Sequence, residues 1–142
     1  MTRPFHGAKT ATFIGGDLLM IMRDDKPEID FPAHWDFPGG GRDPGETGYQ
    51  TAAREMREEV GLDLDRGRIL WRARLPSDTA PGRESWFFVA QFPASAVHDI
   101  RFGDEGQFWR LMPVEEVLAR PLVVPSLSSR LRMWLDIRDG SG

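Results

Sequence analysis

The chain has 142 residues, 40% of them hydrophobic and 28% charged, which suits one globular domain over residues 1–142 and excludes a disordered polypeptide. Its 18 basic and 22 acidic residues give a formal charge of −4, so the composition does not point to a nucleic-acid polymer as partner, although bound cations could still invert the local field for a phosphorylated small molecule. No cysteine is present, which excludes disulfides and thiolate chemistry. The opening MTRPFHGAKTATF lacks the apolar centre of a signal peptide, and no apolar run is long enough to span a bilayer. A cytoplasmic protein with no membrane partner is expected.

In chain order, KTATFIGGDLLMIMR predicts two strands, Lys9–Ile14 and Leu18–Arg23, joined by a Gly15-Gly16-Asp17 turn. KPEIDFPAH reads as a Pro-interrupted loop leading to the short extended piece WDFP, and Gly39-Gly40-Gly41 reads as a turn. A helix is predicted over Gly48–Val60: Thr47 and Gln50 form a capping box, and Gly61 supplies the stop. RILWRARL and ESWFFVAQF predict two further strands around the polar turn PSDTAPGR. GQFWRLM is another strand and PVEEVLA a short helix. A last helix covers about Ser126–Arg138, with Leu127, Leu131, Trp134 and Leu135 on one face, before a fraying DGSG tail. These elements imply an α/β fold, a mixed sheet with helices on its faces.

The Gly48–Val60 helix carries an unusual charge pattern. On a wheel of 100° per residue, Glu58 and Glu59 fall at about 300° and about 40° from Glu55, so three carboxylates share a face. Tyr49, Ala52, Ala53, Met56 and Val60 form a separate apolar stripe, and Arg54 and Arg57 project mostly away from the acids. Glu55 and Glu59 form a like-charge i,i+4 pair, which destabilises a bare helix. An all-oxygen donor set without His or Cys favours Mg²⁺, with Mn²⁺ as substitute, over zinc. Taken alone, EMREE reads more readily as a solvated face.

The surrounding residues change that reading. Gly40, Glu46, Arg54, Glu55, Met56, Glu58, Glu59, Gly61 and Leu62 stand at the spacing of the Nudix hydrolase signature, so residues 40–62 closely resemble that family's box. The resemblance implies a Nudix-type α/β/α sandwich. It implies that Glu55, Glu58 and Glu59 bind the metal, with the carbonyl of Gly39 or Gly40 completing the shell. It further implies that Glu46 pairs with Arg54, fixing the loop against the helix, so Arg54 acts structurally and electrostatically. Glu55 is the first candidate for the general base. Glu105, in the Gly-flanked turn of RFGDEGQFW, resembles a late acidic loop that adds a ligand or supplies the base, with Asp104 its neighbour and rival.

Specificity is less legible. Phe31, Trp35, Phe37 and Trp109 are candidates to stack or wall a substrate, while Trp86, Phe88 and Phe108 read equally well as packing. His34 is expected to be an exposed loop histidine. The chain has no asparagine, and its one tyrosine, Tyr49, faces the core, which removes two specificity markers of nucleotide-cleaning and dinucleoside-polyphosphate members. By elimination the resemblance implies a nucleoside triphosphate cut to monophosphate and pyrophosphate. A nucleotide sugar, a non-cutting sensor domain and a metal-dependent isomerase are the alternatives. A homodimer is the oligomeric form that the resemblance suggests.

Overall fold

The computed structural model describes residues 4–77 and 79–140. In order along the chain stand β1 (Phe5–Ile14), β2 (Asp17–Met22), β3 (Trp35–Asp36), β4 (Gly39–Gly41), α1 (Gly48–Val60), β5 (Arg68–Pro76), β6 (Glu84–Phe92), β7 (Phe108–Met112), α2 (Val114–Ala119) and α3 (Pro125–Gly140). The strands form one seven-stranded sheet with the path β3-β2-β1-β6-β5, with β4 paired to β1 and β7 to β2. Among the described strand pairs β1 and β6 run parallel, in register from Ala8 opposite Trp86 to Ile14 opposite Phe92, and the other five are antiparallel, so the sheet is mixed.

Alternation along the strands sends side chains to two separate cores. Leu18, Met20, Phe87 and Val89 face α3, where Leu127, Leu131 and Trp134 cover them. Leu19, Ile21, Phe88 and Ala90 face the other way, under Ala52, Met56 and Val60 of α1. This double covering is the α/β/α sandwich. Each large side chain sealed this way stabilises the fold by about 1.5–3 kcal/mol relative to exposure. In β5 the register slips between Ile69 and Trp71, and the two residues pack into opposite cores.

The capping box is present as expected: Thr47 Oγ1 accepts from Gln50 N at 3.2 Å, and Gln50 Oε1 accepts from Thr47 N at 2.9 Å. Gly61 closes α1 in the left-handed conformation, φ 71°. The structure departs from the sequence reading at several places. Gly39–Gly41 is a short strand rather than a turn, because its ladder to Gly7–Lys9 holds residues with little strand preference of their own. Short 3₁₀ segments at Leu64–Arg66 and Ala94–Asp99 were not expected. α3 extends through Asp139 and Gly140, and the rest of the tail, Ser141 and Gly142, lies outside the described residues. Arg130 joins the buried face of α3, at 6% exposure. Among the described residues no helix is long and apolar enough to cross a membrane.

Candidate active site

Three backbone segments bring the acidic groups together. The first is α1, whose face carries Glu55, Glu58 and Glu59. The second is the 101–107 loop, docked on the C-terminus of that helix: Arg101 N donates to Val60 O at 2.8 Å and Gly103 N to Glu59 O at 2.9 Å. A β-carbon on Gly103 would stand 2.3 Å from the Glu58 carbonyl, so this docking requires glycine. The third is β4, where Gly39 N donates to Glu59 Oε1 at 2.6 Å. As a result Glu55, Glu58, Glu59, Asp104 and Glu105 line one cavity of about 290 Å³.

Arg54 organises the acids on its side of the helix. The sequence reading sent its side chain away from the carboxylates; instead the long arm turns back, and the guanidinium lies among them. Nε donates to Glu46 Oε2 at 2.8 Å, and Nη1 donates to Glu55 Oε1 at 2.9 Å and to Glu58 Oε2 at 3.2 Å. Nη2 donates to the Gly41 carbonyl at 2.7 Å, tying the helix to β4. Glu46 also accepts from Thr51 Oγ1 and from Asp43 N, both at 2.9 Å. Hydrogen bonding to Arg54 holds the Glu46 carboxyl down at about 2, so this pair stays ionised in any ordinary buffer.

Glu55 and Glu59 shift in the opposite direction. Burial raises the Glu55 carboxyl, against the lowering influence of Arg54. Burial pushes the Glu59 carboxyl up to about 8, with the Lys9 ammonium and the Gly39 N–H opposing the shift. Folding therefore favours the protonated Glu59. Its stabilising contribution is complete below the unfolded-state value and is lost as pH rises towards about 8. In chelator, the Tm of the wild type is expected to fall more steeply between about pH 5 and about pH 8 than that of Glu59→Gln. Thermal melts across that range check this, and parallel slopes would show that the buried carboxylate carries no such cost.

The donor set suits a hard divalent cation: five carboxylates line one cavity, and one of them is held in a setting that disfavours its own charge. Among the described residues no group of three acidic or imidazole side chains is already arranged to hold an ion, since Arg54 engages Glu55 and Glu58 while Glu59 turns to Gly39. The Gly39 carbonyl, one of the two expected ligands, accepts from Lys9 Nζ at 3.1 Å. Gly40 lies beside Glu55. A β-carbon there would come within 2.8 Å of both Glu55 carboxylate oxygens.

A second group of charges was missed from sequence. Asp36, 4% exposed, accepts at Oδ2 from Lys9 Nζ and from Arg23 Nη1, both at 2.8 Å, while Oδ1 accepts from Phe37 N. Ionisable residues inside the otherwise apolar stretches of β1 and β3 were the available signal. Of the candidate aromatic residues, Phe37 (0% exposed) and Trp35 (6%) belong to the core and offer no face to a ligand. Their alternation with neighbours in extended segments already allowed that outcome. Trp109 packs against the α1-side core. Phe31 lines a cavity on the α3 side of the sheet. His34 is half-buried, its Nδ1 2.8 Å from the Pro32 carbonyl.

The NUDIX domain family profile matches residues 6–133, and the chain belongs to this family. Among curated proteins it is similar to an RNA pyrophosphohydrolase of Salmonella arizonae, 34% identical, with 60% of this chain and 60% of the relative covered. The match thus takes in less than two thirds of that relative's length. Among solved structures it resembles an Ap4A hydrolase of C. elegans in a binary complex: TM-score 0.74, 21% identity, 94% of this chain and 98% of the other. It also resembles a MutT protein of Methanosarcina mazei Go1, with TM-score 0.74, 18% identity and coverage of 98% and 99%. At these identities the structural likenesses establish the fold.

Proposed function

We propose that the chain is a divalent-metal-dependent hydrolase of nucleoside diphosphate-linked substrates. The observation that carries this reading is the single cavity lined by Glu55, Glu58, Glu59, Asp104 and Glu105 beside the glycine strand. Glu55, Glu58, Glu59 and Glu105 would hold Mg²⁺, or Mn²⁺ in its place. A bound divalent cation supplies charge neutralisation on the diphosphate and a more acidic water.

The chain's own residues do the rest. Glu55 accepts a proton from the attacking water on a carboxylate oxygen. Arg54 Nη1 fixes that carboxylate at 2.9 Å, and burial raises its basicity. Gly39 N orients Glu59, and the Arg54–Glu46 pair holds α1 against the loop that follows β4. The water oxygen ends on one phosphorus, the other phosphate leaves with the bridging oxygen, and the two products share the diphosphate. Nucleoside triphosphates and nucleotide sugars both carry this bond.

Product release from a panel of nucleoside triphosphates, nucleotide sugars, Ap4A and a short 5′-triphosphorylated RNA tests the reading. Turnover is expected to require Mg²⁺ or Mn²⁺, to rise with pH into the alkaline range as the raised carboxyls deprotonate, and to stop in excess chelator. Full activity in chelator would refute metal dependence. Nucleotide binding without any product release would make the chain a sensor domain.

A further inference from the structure

Lys9 stands on β1 in the row that continues as Ala11 and Phe13, both of which enter the α3-side core. An ammonium on a core-facing row is costly unless its donors are met. Here they are met at one corner of the chain. Nζ donates to Asp36 Oδ2 at 2.8 Å, to the Gly39 carbonyl at 3.1 Å and, more weakly, to the Phe37 carbonyl at 3.5 Å. Arg23 Nη1 reaches the same Asp36 oxygen, so one carboxylate ties β1 and the end of β2 to the corner between β3 and β4.

Gly39 is the residue this corner serves. Its carbonyl accepts from Lys9 and its N–H donates to Glu59 Oε1 at 2.6 Å, so one glycine joins the ammonium to a carboxylate of the acidic cavity. The lysine stem lies against it as well: a β-carbon on Gly39 would stand 2.8 Å from Lys9 Cδ. β4 has three residues, all glycine, the residue type that loses most freedom on ordering, and its ladder to β1 is three pairs long. Such a strand has little stiffness of its own with which to set the direction of one N–H. The Lys9 clamp supplies it.

We propose that Lys9 is a positioning residue for the metal site: by holding the Gly39 carbonyl it aims the Gly39 N–H at Glu59 and so fixes that carboxylate for a divalent cation. This rests on the metal-dependent reading above. Partners that orient a metal ligand in this way are worth about 10–100-fold in metal affinity. Charge alone works the other way, since removing a cation beside an acidic cavity favours the binding of another. The direction of the effect therefore separates aim from charge.

Lys9→Met, confirmed folded by its melt, tests the assignment through two measurements. Amide hydrogen exchange in the metal-free protein, followed by NMR, is expected to quicken at Gly39 by about tenfold while the β1–β6 ladder keeps its wild-type rates. Calorimetric titration with Mg²⁺ is expected to show affinity weakened by about 10–100-fold. Asp36→Asn keeps the shape of the corner but removes the charge that anchors Lys9. It is expected to move both readouts in the same direction, and it carries the test if Lys9→Met does not fold. Wild-type exchange at Gly39 in the folded variants, or Mg²⁺ affinity unchanged or increased, would overturn the assignment. Mg²⁺ binding by the wild type is measured alongside. Its absence would remove the metal reading, while the exchange rates, taken without metal, would still decide whether Lys9 holds Gly39.

Discussion

Glu55→Gln is expected to lower kcat by about 10²–10⁴-fold at saturating Mg²⁺, the range usual for loss of a general base. Glu55 sits mid-helix, its oxygen fixed by Arg54 Nη1 at 2.9 Å, with burial raising its carboxyl towards the range where a base works. Glu105 occupies an exposed loop between Gly103 and Gly106, so Glu105→Gln is expected to cost less and to act partly through the affinity for metal or substrate. Saturating metal is essential, because lost metal imitates a lost base. Steady-state kinetics of the two variants settle the order. A deeper fall in kcat for Glu105→Gln would move the base to the loop.

The second large effect separates two adjacent glycines. Gly39 has φ 147°, and a β-carbon on it would stand 2.1 Å from the Ala8 carbonyl oxygen, where the β1–β4 ladder leaves no slack. Gly39→Ala is expected to destabilise the fold by more than about 3 kcal/mol. For Gly40→Ala the nearest atoms are the carboxyl end of Glu55, at 2.7–2.8 Å, and a side-chain tip can swing away at small cost. Its melt is expected to stay near that of the wild type while kcat drops about 10²-fold, since a displacement of about 1 Å at a reacting group has that effect. Thermal melts and kcat measured side by side distinguish the cases. A fully active Gly40→Ala would show that the position of Glu55 is not critical.

Local signals located the elements well and left their partners unspecified. α1 and β6 occur within the boundaries read from the sequence, since a capping box with a glycine stop, and a dense aromatic and aliphatic run, are decided within about ten residues. β1 begins earlier than its own pattern suggests, at Phe5, because its first half is held by β4 and β6. The same dependence on distant partners makes a strand of three glycines. In the site, spacing along one helix gave the shared face of Glu55, Glu58 and Glu59. It could not give the return of the Arg54 side chain, which depends on where Glu46 and Gly41 come to rest. The Lys9–Asp36–Arg23 cluster joins three separate strands or their ends, and no local pattern encodes it. Trp35 and Phe37 carry the composition of a binding wall, yet their exposure is set by what packs over them.

The parallel pairing of β1 with β6 fixes when the molecule can mature as well as what it looks like. A hairpin can close as soon as its second strand exists, but Ala8 must wait for Trp86 and Ile14 for Phe92. Closing so long a loop is an entropic debt met only by contacts made afterwards, so this step belongs to the slow class of non-local pairings. On the ribosome, α1 with its acidic face would emerge well before the strand that completes the sheet beneath it. A chain halted short of β6 would display the acidic helix without the scaffold that aims it, and the exposed edge of β1 would be free to pair with another chain.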